Sequence, residues 1–160
     1  MEQHAYGMAQ TLSRTDDVTV FTTRRHAGHV YRGAFDVRPV LVGDPWQDYP
    51  KIMEQGADAW LTLNAGYAVL AEYTDVPIFC YCHGNDFLKP SIRAGTPVQE
   101  TAVRRLWRTP VVWRTAERVQ RAFRQRNIRH GLTAARGIFV NSQFTRERLL
   151  ASFPELARPI

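Results

Sequence analysis

The sequence predicts an α/β domain with a doubly wound, mostly parallel sheet and flanking helices. Short apolar segments rich in β-branched and aromatic residues alternate with helical patterns along the 160 residues, which is typical of βαβ units. One such segment, 78–82, has no polar residue alternating through it, as expected of a buried parallel strand. Hydrophobic residues make up 44% of the chain, enough for a core at this length. We predict one domain over 1–153 and an irregular tail over 154–160.

The first half of the chain predicts three strands and three helices. Apolar residues at helical spacing predict an opening helix over 2–13. Segments rich in β-branched and aromatic residues predict strands at 17–23, 34–42 and 58–63. Gly43, Asp44 and Pro45 predict a turn, and a short helix is expected over 50–55. Asn64 is a good N-cap for a further helix that runs through Tyr73.

The second half continues the alternation. The strand over 78–82 and a loop lead to two helical stretches between Pro97 and about His130. The second stretch begins at Pro110, because proline is favoured in the first turn of a helix. A last strand is predicted over 137–141, and Ser142 is the expected N-cap of a final helix through Ser152.

Polar residues directly after three of the predicted strands form the candidate site. Ligands of open parallel sheets bind beyond the carboxyl ends of the strands. The residues in question are Asn64, His83, Gly84, Asn85, Asp86, Asn141 and Ser142. Gly84 permits a sharp turn, the polar side chains can hydrogen-bond a ligand, and helix N-termini suit phosphate or sugar oxygens. The alternative is an ordinary strand exit, with His83 bonded to a neighbouring backbone group, and with Asn64 and Ser142 serving only as caps.

The two cysteines predict buried free thiols. Cys80 and Cys82 are two apart on one strand, so they share a face and are poorly placed for a disulfide. With His83 they could bind a metal, but no second ligand cluster accompanies them, and we predict no metal site. Free thiols are typical of a reducing compartment, and no apolar run approaches the ~20 residues that cross a bilayer. These features indicate a cytoplasmic protein.

Positive charge is concentrated between Pro97 and Arg136, where ten arginines stand against two glutamates. An apolar stripe at helical spacing lies among them, formed by Val112, Ala116, Val119 and Phe123. Basic residues near Trp107 and Trp113 suit peripheral contact with an anionic membrane. The alternative is a core helix whose outer face is solvated by arginines. No stacking platform or recognition motif is present, so no nucleic-acid partner is expected.

Five short motifs in order resemble the N-terminal domain of family 4 glycosyltransferases, which are retaining enzymes with two facing Rossmann-like domains in the GT-B architecture. The motifs are Met1-Glu2-Gln3-His4 through Leu12, Asp17-Val18-Thr19-Val20-Phe21-Thr22, Asn64-Ala65-Gly66-Tyr67, His83-Gly84-Asn85-Asp86, and Ile138 to Leu149. The likeness covers essentially the whole chain. Family members carry a first strand and a glycine-rich loop directly before the segment that matches Met1-Glu2, so the resemblance implies that this domain lacks the family's first strand. It also implies that 154–160 begins a linker to a second domain.

The resemblance also implies a function. The whole enzyme would move a sugar from a nucleotide-diphosphate sugar to an acceptor hydroxyl with retention, in polysaccharide or glycolipid assembly. His83 would be the catalytic-site residue that reaches the donor sugar. The residues that line the sugar or acceptor would be Asn64, Gly84, Asn85, Asp86 and Ser142. The nucleotide sugar would be a substrate, with no tightly bound cofactor and no metal.

The partners implied are a C-terminal donor-binding domain and a sugar or lipid-linked acceptor. Relatives of this kind act at the inner face of the cytoplasmic membrane, where the Arg-rich helix would make peripheral contact. The alternative function is a non-catalytic Rossmann-like module that binds a sugar or an acceptor.

Overall fold

The computed structural model describes residues 3–23, 34–84, 86–88 and 110–157. The chain divides into two compact units, Met1–Gly43 and Asp44–Ile160. Each unit contains a small sheet of parallel strands. The predicted α/β class with parallel strands and flanking helices is therefore confirmed.

The described residues of the first unit form one helix and two strands: α1 (Gln3–Leu12), β1 (Thr19–Thr23) and β2 (Asp36–Leu41). The predicted helix and both predicted strands are confirmed, with ends that differ by one or two residues. Ala9 of α1 is buried, and the ring of Tyr6 meets Phe35 edge to face at 5.6 Å between centroids. The predicted loop over 24–33 lies outside the described residues.

The pairing of β1 with β2 contains a bulge that the strand prediction did not include. Phe21 pairs with Arg38, but Thr23 pairs with Leu41, so β2 has one extra residue over this stretch. Pro39 lies within it. Because proline has no N–H group, it cannot join the ladder of hydrogen bonds, and a bulge is where a strand accommodates it.

The part of the second unit that the structure describes contains three strands, three α-helices and two 3₁₀ helices. In chain order they are α2 (Pro45–Met53), β3 (Trp60–Thr62), a 3₁₀ helix (Ala65–Glu72), β4 (Ile78–Cys82), α3 (Pro110–Ala134), β5 (Gly137–Val140), α4 (Gln143–Ser152) and a second 3₁₀ helix (Pro154–Ala157). The sheet order is β3-β4-β5, with both pairings parallel. The strand predicted over 78–82 therefore lies in the centre, between two partners.

Helix α2 begins earlier than the sequence prediction, which placed a turn at Gly43-Asp44-Pro45 and the helix at 50–55. The carboxylate of Asp44 caps the helix, because its Oδ1 accepts hydrogen bonds from the N–H groups of Trp46 at 3.0 Å and Gln47 at 3.4 Å. Pro45 is the first helical residue, where its missing N–H has no partner to lose. The predicted turn residues therefore start the helix.

A partly buried hydrogen bond connects α2 to the Ala65–Glu72 helix. Asp48 is fully buried, and its Oδ2 accepts from the Tyr67 hydroxyl at 2.6 Å and from the Asp44 N–H at 3.2 Å. Burial and this hydrogen bond to Asp48 raise the pKa of Tyr67. The phenol therefore remains a hydrogen-bond donor to the carboxylate over the ordinary pH range.

Helix α3 crosses the Ala65–Glu72 helix in backbone contact. A Cβ atom placed on Gly131 would lie 2.3 Å from the carbonyl carbon of Ala68. The sequence prediction ended the Arg-rich helices near His130, and this was wrong, because α3 continues through Gly131 to Ala134. The helix predicted over 64–73 is confirmed as a 3₁₀ helix, whose three residues per turn place Ala65 and Ala68, both fully buried, on one face.

The core of the second unit is built around this crossing. Its buried members are Ala65, Ala68, Cys80, Cys82, Phe87, Ile128, Leu132, Leu149 and Phe153. Cys80 and Cys82 are free and fully buried, as predicted, with their Sγ atoms 3.8 Å apart. The hydrogen bond with Cys82 and burial raise the pKa of Cys80 well above its ordinary value. Both thiols are core packing groups on the inner face of β4.

The Arg-rich segment is described only in part. As predicted, α3 begins at Pro110. Its later residues Ile128 and Leu132 lie in the core, whereas Phe123, from the predicted apolar stripe, is 61% exposed. The predicted helical stretch before Pro110 and the side chains of the rest of the stripe lie outside the described residues. Among the helices that are described, none has the length and apolar character that a membrane span requires.

Candidate functional site

The candidate site lies at the carboxyl edge of the three-stranded sheet. Cys82 pairs with Val140, so the next residues along the two strands, His83 and Asn141, lie beside each other. Thr62 pairs with Cys80, which brings Asn64 to the same edge. We call these the strand-end residues: Asn64 after β3, His83, Gly84 and Asp86 after β4, and Asn141 and Ser142 after β5. The predicted Asn85 lies outside the described residues.

A tight turn follows β4. The Asp86 N–H donates to the carbonyl of His83 at 3.2 Å, and the Asp86 Oδ1 accepts from the His83 N–H at 3.2 Å. Gly84 has a φ of +61°, in the left-handed region, which confirms the predicted need for glycine. A Cβ at Gly84 would have no atom within 4 Å. The requirement is therefore one of backbone conformation, with no crowding at this position.

Asp86 connects the residues after β4 to those after β3. Its Oδ2 accepts from the N–H of Ala65 at 3.1 Å, at the start of the 3₁₀ helix. Burial raises the pKa of Asp86 above its ordinary 3.8, against the opposite effect of the N–H groups of Ala65, His83 and Phe87. Asp86 was predicted as a ligand-binding residue. Both of its oxygens are engaged with backbone, so its described role is to hold two strand ends together.

Asn64 is the N-cap that the sequence predicts. Its Oδ1 accepts from the N–H of Gly66 at 2.8 Å, and its carbonyl oxygen accepts from the hydroxyl of Thr62 at 2.8 Å. These bonds fix the turn from β3 into the 3₁₀ helix. Contact between Asn64 and a ligand stays a prediction.

His83 is exposed, and its Nδ1 lies 3.1 Å from the amide nitrogen of Asn141. The amide oxygen of Asn141 accepts from the hydroxyl of Thr145 at 2.7 Å. The Thr145 N–H donates to Ser142 Oγ at 3.1 Å, which confirms Ser142 as the cap of α4, and the two hydroxyl oxygens lie 3.0 Å apart. One hydrogen-bonded chain, the His83 relay, thus runs through Ser142, Thr145, Asn141 and His83.

Sequence reasoning missed Thr145 and gave Asn141 no role of its own. Thr145 is the third residue after the cap, the position from which a side chain can bond back to the cap. That position is a usable signal in the sequence. The bond from Thr145 to Asn141 has no such signal, because it depends on how β5 turns into α4.

Within the described part of the chain, the strand-end residues form a polar edge at which His83, Asn141 and Ser142 are exposed. The tip of the His83 relay is exposed, and the ring of Tyr81 lies edge-on to the His83 ring at 6.4 Å. Two surface grooves of about 610 and 430 Å³ lie elsewhere along α3, and both are lined by Arg129 and His130. No predicted site residue lines either groove. We favour the strand-end edge because the parallel topology and the polar groups converge there.

Within the described residues, no group of three or more His, Cys, Asp or Glu side chains is arranged to hold a metal ion. Comparisons of the chain with protein-family models, with curated proteins and with solved structures found no match. The chemistry that the described side chains offer is hydrogen bonding by an imidazole, two amides and a hydroxyl. That set suits a ligand with many hydroxyl groups.

Proposed function

We propose that this chain is the acceptor-side half of a retaining glycosyltransferase, which moves a sugar from a nucleotide-diphosphate sugar to an acceptor hydroxyl. The observation that carries the proposal is the meeting of three strand ends around exposed His83 at the carboxyl edge of a parallel sheet. The motifs that resemble family 4 glycosyltransferases include these residues. A Rossmann-like, doubly wound arrangement of the whole domain is part of the same proposal.

The polar character of the edge supports a sugar as the ligand. Each sugar hydroxyl both donates and accepts hydrogen bonds, so a surface that binds it needs several fixed polar groups rather than an apolar pocket. The relay holds the His83 ring, and Asp86 and Gly84 shape the turn that carries it. A neutral imidazole positions a hydroxyl for reaction through a directed hydrogen bond. In this proposal His83 contacts the donor sugar, and Asn64, Asn85 and Ser142 face the sugar or acceptor.

The proposal includes two partners. A donor-binding domain supplies the nucleotide-sugar site, and a sugar or lipid-linked acceptor binds the present chain. Exposed Phe123 and Arg118 on α3 support peripheral contact with an anionic membrane that carries such an acceptor.

Binding of simple hexosides that stand in for the donor sugar tests the role of His83. We expect His83→Ala to weaken binding about tenfold, the effect of losing one well-placed hydrogen bond of ~1.4 kcal/mol. The measurement is a titration followed by saturation-transfer NMR. His130→Ala is the matched control, because His130 is an exposed histidine on α3 that lines both grooves. Binding that His130→Ala abolishes and His83→Ala leaves intact would place the ligand in a groove and overturn the proposal.

A second arm separates the half-enzyme from a non-catalytic binding module. The chain is mixed with a separately expressed donor-binding domain, a nucleotide-diphosphate sugar and an acceptor glycoside, and mass spectrometry follows the acceptor. Sugar transfer that depends on His83 supports the half-enzyme. Acceptor binding without transfer supports the module.

A further inference from the structure

The larger of the two grooves along α3 contains none of the strand-end residues and carries positive charge. Three residues of α3 line it, Ala122, Arg126 and Arg129, and their spacings of four and three place them on one face of the helix. Ser152 and Phe153, at the end of α4, also line it. No acidic side chain is among the described residues of its lining. The larger groove therefore suits a negatively charged ligand.

The smaller groove differs because its charges are balanced. Two glutamates, Glu72 and Glu155, line it together with Arg129 and His130. The His130 Nδ1 lies 3.2 Å from Glu72 Oε1, and the Arg129 Nε lies 3.0 Å from Glu155 Oε1. Each basic side chain there faces an acid, so the smaller groove offers an anion no unbalanced charge. Since His130 is directed toward Glu72, we assign it no contact with a ligand of the larger groove.

The two arginines of the larger groove contribute in different ways. Arg126 is exposed, and within the described part of the chain it has no hydrogen bond, ion pair or ring contact. Arg129 is held in place, because its guanidinium carbon lies 5.7 Å from the ring centroid of Phe153 and its Nε lies beside Glu155. A guanidinium has five N–H donors, so a ligand can bond to those that Glu155 does not use. Arg126 thus supplies unbalanced charge, and Arg129 supplies fixed donors.

A phosphate group matches this pair of arginines. Residues three apart on a helix have Cβ atoms about 5–6 Å apart, so the side chains of Arg126 and Arg129 can meet one ligand group. Arginine binds phosphate oxygens through two parallel N–H groups, and a phosphate monoester carries close to two negative charges at neutral pH.

The rest of the groove is suited to an apolar body attached to the phosphate. Its volume of about 610 Å³ lies in the range of about 300–1,000 Å³ that is typical of small-molecule sites. Leu88, Ala122 and Phe153 supply an apolar lining beside the arginines. Inorganic phosphate alone would leave this lining in contact with water.

We propose that the larger groove binds a phosphate monoester carried on an apolar body, with Arg126 and Arg129 at the phosphate. Leu88, Ala122 and Phe153 contact the apolar part. A free alkyl phosphate and the headgroup of phosphatidic acid share this chemistry. The site is separate from the strand-end edge and does not rest on the proposed function.

Hexyl phosphate is the probe, titrated into the full chain and followed by isothermal calorimetry. We expect saturable binding that is about tenfold tighter than that of inorganic phosphate, because the hexyl group buries methylene groups in the groove. Hexanol, which has the same chain and no charge, should show no binding. Equal affinity for hexyl phosphate and inorganic phosphate, or no saturable binding of hexyl phosphate, would overturn the proposal.

Arg126→Gln tests the phosphate contact. We expect it to weaken hexyl phosphate binding about tenfold to a hundredfold, the effect of losing charge-assisted hydrogen bonds. Arg124→Gln is the matched control, because it removes the same charge from the same helix and Arg124 lines neither groove. It should bind hexyl phosphate like the parent. Equal weakening in the two variants would show that only the net charge of the helix matters, and the site would be refuted.

Ala122→Trp tests the apolar part and keeps both arginines. Ala122 is exposed, so the fold should accept the larger side chain. The indole should occupy part of the groove and weaken hexyl phosphate binding about tenfold, the effect of excluding about two methylene groups. Inorganic phosphate should bind as it does to the parent. Undiminished binding of hexyl phosphate would place its chain outside the groove and contradict the proposal.

Vesicles distinguish the two sources of the phosphate. The chain is sedimented with phosphatidylcholine vesicles that contain phosphatidic acid. Weaker sedimentation of Arg126→Gln than of Arg124→Gln supports the site with a lipid headgroup as its ligand. Equal sedimentation of the two, with hexyl phosphate binding still dependent on Arg126, supports the site with a free ester as its ligand. His83→Ala should bind hexyl phosphate like the parent, so failure of the proposed function and failure of this site are distinguishable.

Discussion

The second unit contains two contacts of opposite character along the same 3₁₀ helix. In its middle, Ala68 meets Gly131 of α3 backbone against backbone, inside the core. At its start, Ala65 N–H meets the carboxylate of Asp86, at the polar edge where His83 is exposed. The first contact depends on the absence of a side chain, and the second depends on the presence of one.

This difference teaches that stability and ligand chemistry are separable in this unit. The crossing is apolar and tightly packed, so any added atom disturbs it. The strand-end residues are joined by individual hydrogen bonds at a surface, where each contributes about 1 kcal/mol. Substitutions at the crossing should change folding, and substitutions at the edge should change binding with a smaller effect on folding.

The largest loss of stability is expected where α3 crosses the Ala65–Glu72 helix. Gly131→Ala places a Cβ where the carbonyl carbon of Ala68 lies 2.3 Å away, and backbone cannot yield as a flexible side chain would. We expect the free energy of unfolding to fall by about 3 kcal/mol, the upper end of typical overpacking effects. Urea unfolding followed by circular dichroism measures it.

Gly7→Ala is the matched control, because Gly7 also lies within an α-helix and a Cβ there would meet nothing within 4 Å. The free energy of unfolding of Gly7→Ala should rise by about 0.5–1 kcal/mol, because alanine has the better helix propensity. If both variants gain stability alike, the close crossing does not exist in solution.

A smaller loss of stability is expected when Asp86, at the polar edge, is replaced. Asp86→Ala removes the acceptor for the N–H groups of Ala65 and His83, of which the first belongs to a fully buried residue. We expect the free energy of unfolding to fall by about 2 kcal/mol, as for a buried donor left without a partner. Asp75→Ala, at an exposed carboxylate, should stay within about 0.5 kcal/mol of the parent.

The effect of Asp86→Ala should also depend on pH. Burial raises the folded-state pKa of Asp86 above 3.8, while the unfolded chain keeps the ordinary value. The folded state then holds the proton more tightly, so this group contributes most stability below about pH 3.8, and that contribution falls as pH rises through the raised pKa. The difference in the free energy of unfolding between the parent and Asp86→Ala should therefore become smaller from acid to neutral pH. A difference that widens over that window would contradict the burial of the carboxylate.

The strands and caps around the site could be predicted because their signals are local. The apolar run of β4, the caps Asn64 and Ser142 and the turn at Gly84 each depend on residues within a few positions of one another. The parallel alternation then places their ends at one edge. This is why His83, Asn64 and Ser142 could be placed from sequence at one edge of the sheet.

The rest depends on contacts between distant residues. Glycine within a helical pattern normally marks an end, so the passage of α3 through Gly131 was missed; its reason lies in Ala68, far along the chain. The partner of Asp86 is the backbone N–H of Ala65, and a backbone group has no signal in the sequence. The role of Thr145 was missed for a different reason: Asn141 is only four residues away, but the bond between them depends on how β5 turns into α4.

The smallest effect on folding is expected at Gly84. Gly84→Ala keeps ample space but forces alanine to a φ of +61°, which costs about 1 kcal/mol for an L-residue in the left-handed region. Gly56 gives a close control, because it has a φ of +62° with nothing within 4 Å of a Cβ, after α2 and away from the strand-end residues. The two alanine variants should lose similar stability by urea unfolding. Only Gly84→Ala should also weaken glycoside binding, because only that turn carries His83. Equal binding by both variants would show that the shape of the turn after β4 does not matter to the ligand, and that the polar edge acts through groups other than His83.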